Sequence, residues 1–262
     1  MGSSGCRAGS VLLLLYAGVS LLVVAGAGYR WLHVLGSIAY VALAVHSAAV
    51  AHGARRLLVA AGAGLAVVFA AEYVGVNYCV PFGCYSYSPA MRPMVAGVPV
   101  LVAAMWIALS YPVYLASWLL FRRPHGLPVV VLASAALLTL VDVAMDPALT
   151  GLGLWRWAPG GPSFYGVPLS NFLGWFLVGL VLYTVYGLLL GRPRPGCAWQ
   201  PLAGYSVFTA QLSLINTEQG YMAPSVLAAL LTVFYALLAV AARRDGGARG
   251  RGTMGWLERL YA

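Results

Sequence analysis

Six residues of this 262-residue chain are acidic, and four of them, Glu72, Asp142, Asp146 and Glu218, fall in or at the ends of long apolar runs. A carboxylate at the centre of a membrane helix costs about 2.5–3.5 kcal/mol on insertion scales, less near an interface, so four such placements argue for use rather than accident. Asp142 and Asp146 stand four residues apart, which sets both on one helix face at neighbouring turns. Two buried carboxyls so close can divide their roles, one staying protonated as a general acid while the other stays ionised as a base. The plain alternative is that they cap a helix end or pair with Arg156 or Arg92. Asn171 and Trp175, at the start of a later apolar run, approach the same layer.

The elements that position these groups are membrane helices. Hydrophobic residues make up 62% of the chain and charged residues only 8%, against roughly a quarter charged in soluble domains. Apolar runs long enough to span a hydrocarbon core recur at 10–28, 31–52, 57–76, 95–121, 128–147, 168–190, 200–217 and 224–242. The expected fold is an all-α polytopic membrane helix bundle of about eight helices, or seven if the polar run with Gln211, Ser213, Asn216 and Thr217 does not span. That run is expected to face the bundle interior. We expect a single transmembrane domain over 1–242 and a flexible basic cytoplasmic tail over 243–262 that touches anionic lipid, leaving Asp245 and Glu258 exposed.

All 15 basic residues are arginine, and their placement reads as topology rather than nucleic-acid binding. With eight spans, Arg7, Arg55, Arg56, Arg122, Arg123, Arg192, Arg194, Arg243, Arg244, Arg249, Arg251 and Arg259 share one side, and only Arg30, Arg92 and Arg156 oppose them. Both termini are therefore expected in the cytoplasm of a multi-pass cell-membrane protein. The N-terminal run lacks a clear small-residue cleavage site and is read as a retained helix. Glu72, Asp142 and Asp146 lie towards the C-terminal ends of odd-numbered helices and Glu218 just beyond another, so all four are expected at one depth near the outer face.

Two opposite-side loops, 77–94 and 151–167, are rich in Tyr, Trp, Pro and Gly, in keeping with either a lid or an interfacial aromatic belt. Cys79 and Cys84 flank Pro81-Phe82-Gly83 in the first, where a local disulfide and two unpaired apolar side chains are equally compatible with the sequence. The histidines, His33, His46, His52 and His125, are scattered and lack metal-ligand spacing. No Gly-rich phosphate loop with a following Lys is present. Neither a metal nor a nucleotide cofactor is expected.

A family resemblance joins these features. Phe69-Ala70-Ala71-Glu72-Tyr73-Val74-Gly75 followed by Pro81-Phe82-Gly83-Cys84-Tyr85-Ser86-Tyr87 resembles the acidic helix end and aromatic loop of the membrane carotenoid hydratases. That group includes bisanhydrobacterioruberin hydratases and γ-carotene hydratases. Gly97-Val98-Pro99 with Trp106, Asp142-Val143-Ala144-Met145-Asp146-Pro147 with Trp155 and Trp157, and Gly166-Val167-Pro168-Leu169-Ser170-Asn171-Phe172-Leu173-Gly174-Trp175 are similar too, in the same order. The resemblance implies cofactor-independent hydration of a terminal alkene of an acyclic C40 or C50 carotenoid to a tertiary alcohol. Protonation would give a tertiary cation, which needs an acid, a negative or π-rich surrounding and a positioned water.

On this reading the Asp142/Asp146 pair holds the proton, Glu72 orients or deprotonates the water, and Asn171 holds it. Tyr85, Tyr87, Trp106, Trp155, Trp157, Trp175 and Glu218 line the substrate. Expected partners are the carotenoid, water, membrane lipid and a carotenoid synthase or elongase, with no nucleic acid. Three rivals share features with it. A lycopene-cyclase-like enzyme begins with the same protonation. An intramembrane prenyltransferase would use Asp142-x-x-x-Asp146 for Mg²⁺ but lacks a second Asp-rich motif. A proton-coupled transporter would need a path to both faces, and no inverted repeat is apparent.

Overall fold

The computed structural model describes residues 2–26, 30–121, 126–194 and 198–249. Among them are eight helices: α1 (Gly2–Val24), α2 (Arg30–His52), α3 (Ala54–Tyr78), α4 (Val100–Leu120), α5 (Leu127–Gly151), α6 (Leu169–Leu189), α7 (Trp199–Glu218) and α8 (Met222–Arg249). All except α7 are long and apolar enough to cross a membrane. Leu14, Leu58, Leu188 and Leu237 are 65–72% exposed, which is where a bundle solvated by lipid puts its leucines. Helix α7 carries polar groups and spends them inside the protein. Tyr16 donates to Gln211 Oε1, Ser206 Oγ to the Thr232 carbonyl, and Asn216 Nδ2 to the Ala144 carbonyl of α5. It is an interior helix, as its composition implied.

Six short strands decorate one end of the bundle: β1 (Tyr85–Tyr87), β2 (Met94–Val95), β3 (Val98–Pro99), β4 (Trp155–Trp157), β5 (Ser163–Phe164) and β6 (Val167–Pro168). Strands β2 and β3 form one hairpin and β5 and β6 another. Each turns on two residues of positive φ, Ala96 (48°) and Gly97 (84°) in the first and Tyr165 (49°) and Gly166 (81°) in the second. That is the backbone a two-residue hairpin of matching twist requires. Pro99 and Pro168 then occupy the N-caps of α4 and α6, with φ of −65° and −59°, where the missing N–H costs nothing. Helix α4 therefore begins at Val100 and not near residue 95.

These features reveal a duplicated unit. Helices α3 and α5 are each 25 residues long and α4 and α6 each 21. A three-residue strand and a hairpin lie between the members of each pair. Counting equally from Gly97 and Gly166, Val98-Pro99 corresponds to Val167-Pro168 and Trp106 to Trp175. Corresponding residues also meet. Strand β1 pairs antiparallel with β4 about Ser86 and Arg156, and the Trp106 and Trp175 rings stack. The two units are thus related by an approximate two-fold axis through these contacts.

Two expectations about the chain's end change. Helix α8 continues to Arg249, so residues 243–249 are helical rather than part of a loose tail, and Asp245 is buried on its last turns rather than exposed. Arg122, Arg123, His125, Arg251, Glu258, Arg259 and the rest of the expected tail beyond 249 lie outside the described residues.

Candidate active site

Glu72 ends the apolar part of α3 and points into the bundle, 4% exposed. Its Oε2 accepts hydrogen bonds from the Tyr85 and Tyr87 hydroxyls, at 2.6 and 2.7 Å, and its Oε1 accepts one from Trp106 Nε1 at 2.8 Å. Alternation along β1 turns Tyr85 and Tyr87 to the same face and Ser86 to the other. Burial, then the charge of Glu72, pushes both phenols above the ordinary tyrosine range, so they remain donors.

The second unit repeats the arrangement with different chemistry. Asp146 Oδ1 accepts from Thr150 Oγ1 (3.0 Å), Trp155 Nε1 (2.6 Å) and Trp157 Nε1 (3.3 Å). Trp155 and Trp157 flank Arg156 in β4 as the tyrosines flank Ser86 in β1, and Arg156 faces outward, exposed. The Asn171 amide nitrogen bridges the pair, donating to Asp142 Oδ2 at 2.8 Å and to Asp146 Oδ2 at 2.7 Å. The amide presents its NH₂ side to both, which places two donors against the pair, whereas its oxygen would repel the ionised Asp146. Asp142 Oδ1 is buried and has no protein partner.

An aromatic wall connects the two half-sites. Trp106 and Trp175 stack, Phe82 packs on Trp106 with centroids 6.3 Å apart, and Tyr85 meets Trp157 at 4.9 Å. Phe82 is seated by two glycines. A Cβ on Gly75 of α3 would lie 2.9 Å from Phe82 Cδ2, and one on Gly174 of α6 would lie 2.6 Å from Phe82 Cδ1 and 3.1 Å from the Pro81 carbonyl carbon. Cys79 and Cys84 form a disulfide at the base of this loop, and Ser170 Oγ donates to the Phe82 carbonyl. The loops close the end of the bundle over the acids.

Of the residues read from the sequence, Glu72, Asp142, Asp146, Asn171, Tyr85, Tyr87, Trp106, Trp155, Trp157 and Trp175 come together here. Glu218 does not join them; it is exposed at the end of α7. Its neighbours do the work at that level, Asn216 on the Ala144 carbonyl and Gln219 Nε2 on the Ala148 carbonyl. Sequence reading missed Thr150, which follows Asp146 at the helical interval of four, and Phe82, whose aromatic position in a Pro-Phe-Gly turn gave no sign of burial. The alternative pairing of the aspartates with Arg156 or Arg92 gives way to pairing through Asn171.

Chemically, the cluster offers three carboxyls in unlike states of saturation beside a π surface. Asp146 has four donors and Glu72 three, which suits carboxylates that hold negative charge, whereas Asp142 has one oxygen with none. The Trp and Asn groups around Glu72 and Asp146 present hydrogens, not lone pairs, so a metal ion would have to displace them. Such a site suits proton transfer to an electron-rich apolar substrate.

A bisanhydrobacterioruberin hydratase of Haloarcula japonica is 34% identical over 132 residues, which covers 47% of this chain and 44% of that protein. The aligned part is therefore less than half of that relative's length. No solved structure matches the chain. The family described as carotenoid biosynthesis protein matches residues 28–235, from α2 to α8 and across both acidic units, and the chain belongs to that family.

Proposed function

We propose that this protein is a carotenoid hydratase, adding water to the terminal double bond of an acyclic C40 or C50 carotenoid. The observation that carries the reading is the bare Oδ1 of Asp142 in a cluster whose other carboxylate oxygens are all hydrogen-bonded. A carboxyl oxygen without a donor is where a proton resides, since a charge there would lack compensation in the interior. Asp142 is the acid that protonates the alkene. The tertiary cation forms between the negative charges of Glu72 and Asp146 and the faces of Trp106 and Trp175, which lower its energy. Water adds to the cation and returns a proton to Asp142, so the reaction needs no other reactant.

This assignment sharpens the roles expected from the sequence. Glu72 serves as a fixed anion, since both its oxygens are engaged, and Asn171 ties the two aspartates together instead of holding water. The name of the Haloarcula relative supports the reaction class, and the extended apolar surface of the bundle suits a substrate that enters from lipid. The protein would lie in the cell membrane with both termini cytoplasmic, and a synthase or elongase would deliver the carotenoid laterally.

The test is mass analysis of carotenoids from cells that make acyclic C40 or C50 carotenoids, with and without the gene. Products heavier by one or two waters are expected. An isomer of unchanged mass would assign cyclisation instead, and an unaltered pigment profile with both substrates would defeat the enzyme reading.

A further inference from the structure

The loop that carries Tyr85 and Tyr87 has to bring them back to Glu72, which stands more than a turn below the end of α3. The second unit makes the matching return with residues 152–154 alone between α5 and β4. Backbone hydrogen bonds fold that connection onto its helix: the Leu152, Gly153 and Leu154 amides donate to the Ala148, Thr150 and Leu149 carbonyls. In the first unit the connection from α3 to β1 is residues 79–84, twice as long. Its backbone ties are the Cys79 amide to the Gly75 carbonyl and the Gly83 amide to the Cys79 carbonyl. What it has in addition is the Cys79–Cys84 disulfide. The bridge joins the residue that caps α3, with φ of 65°, to the residue immediately before Tyr85, and so closes the longer connection into a short one.

Both loops depend on this junction. The Cys84 carbonyl accepts from the Ala158 amide of the second loop at 2.8 Å, and the β1–β4 ladder begins beside it at Tyr85 and Trp157. Cys84 is exposed and Cys79 half-buried, so a reductant in water can reach the sulfurs. We propose that the Cys79–Cys84 disulfide is a redox switch on the site: closed, it holds the Tyr85 and Tyr87 hydroxyls on Glu72, and reduced, it lets them leave and hydration falls. The exchange moves two electrons. A phosphine breaks the S–S bond and departs as phosphine oxide with the oxygen of one water, whose two hydrogens complete the two thiols. Oxidised glutathione re-forms the bridge and leaves as two thiols. With the loop loosened, Glu72 keeps Trp106 as a donor and loses two of the three hydrogen bonds that hold its charge in the interior. The fixed anion facing the cation goes with them. On the topology proposed above this end of the bundle lies outside the cytoplasm, where disulfides persist, so the switch reads the outer compartment.

The inference rests on the hydratase reading, and its test separates the two. Membranes holding the full chain are given an acyclic carotenoid before and after treatment with a water-soluble phosphine. Hydrate is measured by mass, reduction of Cys79 and Cys84 by maleimide tagging, and opening of the loop by chymotrypsin cleavage after Tyr85 and Tyr87. In wild type, hydrate yield should fall about tenfold as the two cysteines become tagged, cleavage should rise, and oxidised glutathione should reverse both. Cys79→Ser/Cys84→Ser should start at the low yield and not respond. Tyr85→Phe/Tyr87→Phe should not respond either, because the bridge acts through those hydroxyls. Undiminished yield from wild type with both cysteines tagged overturns the switch. So does an equal loss on reduction in Tyr85→Phe/Tyr87→Phe, which would mark a general loosening of the bundle. If oxidised wild type forms no hydrate, the hydratase reading has failed, and cleavage alone then decides whether the bridge holds the loop.

Discussion

Trp106 and Trp175 lie face to face, with ring centroids 3.6 Å apart and planes inclined by 12°. They hold corresponding positions in the two units, so the stack marks the approximate two-fold axis. It is also where the units differ in use, because Trp106 Nε1 is committed to Glu72. Trp106→Phe keeps an aromatic face and removes that donor. Hydrate yield, read by carotenoid mass analysis, should fall about tenfold, in line with loss of a hydrogen bond to a buried charge. Unchanged yield would remove Glu72 from cation stabilisation.

The aspartates should separate cleanly. Asp142→Asn preserves shape and the Asn171 contact but has no acidic proton, so turnover should drop by at least about 10²-fold with little change in thermal stability. Asp146→Asn places an amide among four donors and leaves one facing another. It should lower stability by about 1–3 kcal/mol, measured by thermal unfolding in detergent, as well as activity. Equal stability losses in the two variants would contradict the different hydrogen-bond complements.

Gly174→Ala should push Phe82 and the Pro81 backbone off α6. Overpacking of this kind costs about 1–3 kcal/mol, and here it also lifts the loop over the acids, so both thermal stability and turnover should fall. Gly62→Ala on α3, where an added Cβ meets nothing within 4 Å, is the control. It should be neutral or gain up to about 1 kcal/mol. A similar loss in both would show that the Phe82 seat is not the cause.

Glu218→Gln should leave hydrate yield within about twofold, because the side chain is exposed and away from the other acids. Asn216→Leu, two residues earlier, removes the side-chain donor to the Ala144 carbonyl of the acidic helix α5 and should cost about 1 kcal/mol in thermal unfolding. The reverse order would return Glu218 to the site.

The sequence by itself determined the solvent, the helices and most of the chemistry. Long apolar runs demand internally satisfied backbone, hence helices, and most of their ends were legible to within about five residues, although α1 begins at Gly2 rather than near residue 10 and α8 runs to Arg249 rather than residue 242. Acids within such runs are too costly to be idle, which singled out Glu72, Asp142 and Asp146. Only the tertiary structure decided which donors surround each acid, because these come from distant parts of the chain: Tyr85 and Tyr87 from one loop and Trp106 from the next helix for Glu72, and Trp155, Trp157 and Asn171 for Asp146. The same dependence released Glu218, which resembles the others in sequence but ends on a helix whose polar side chains serve its neighbours.

The duplicated unit left only a short trace in the sequence, the Gly-Val-Pro turns at 97–99 and 166–168 with Trp106 and Trp175 at equal spacing, because its halves otherwise share turn geometry and helix length more than residue identity, and Glu72 with its tyrosines bears little likeness to two aspartates with their tryptophans.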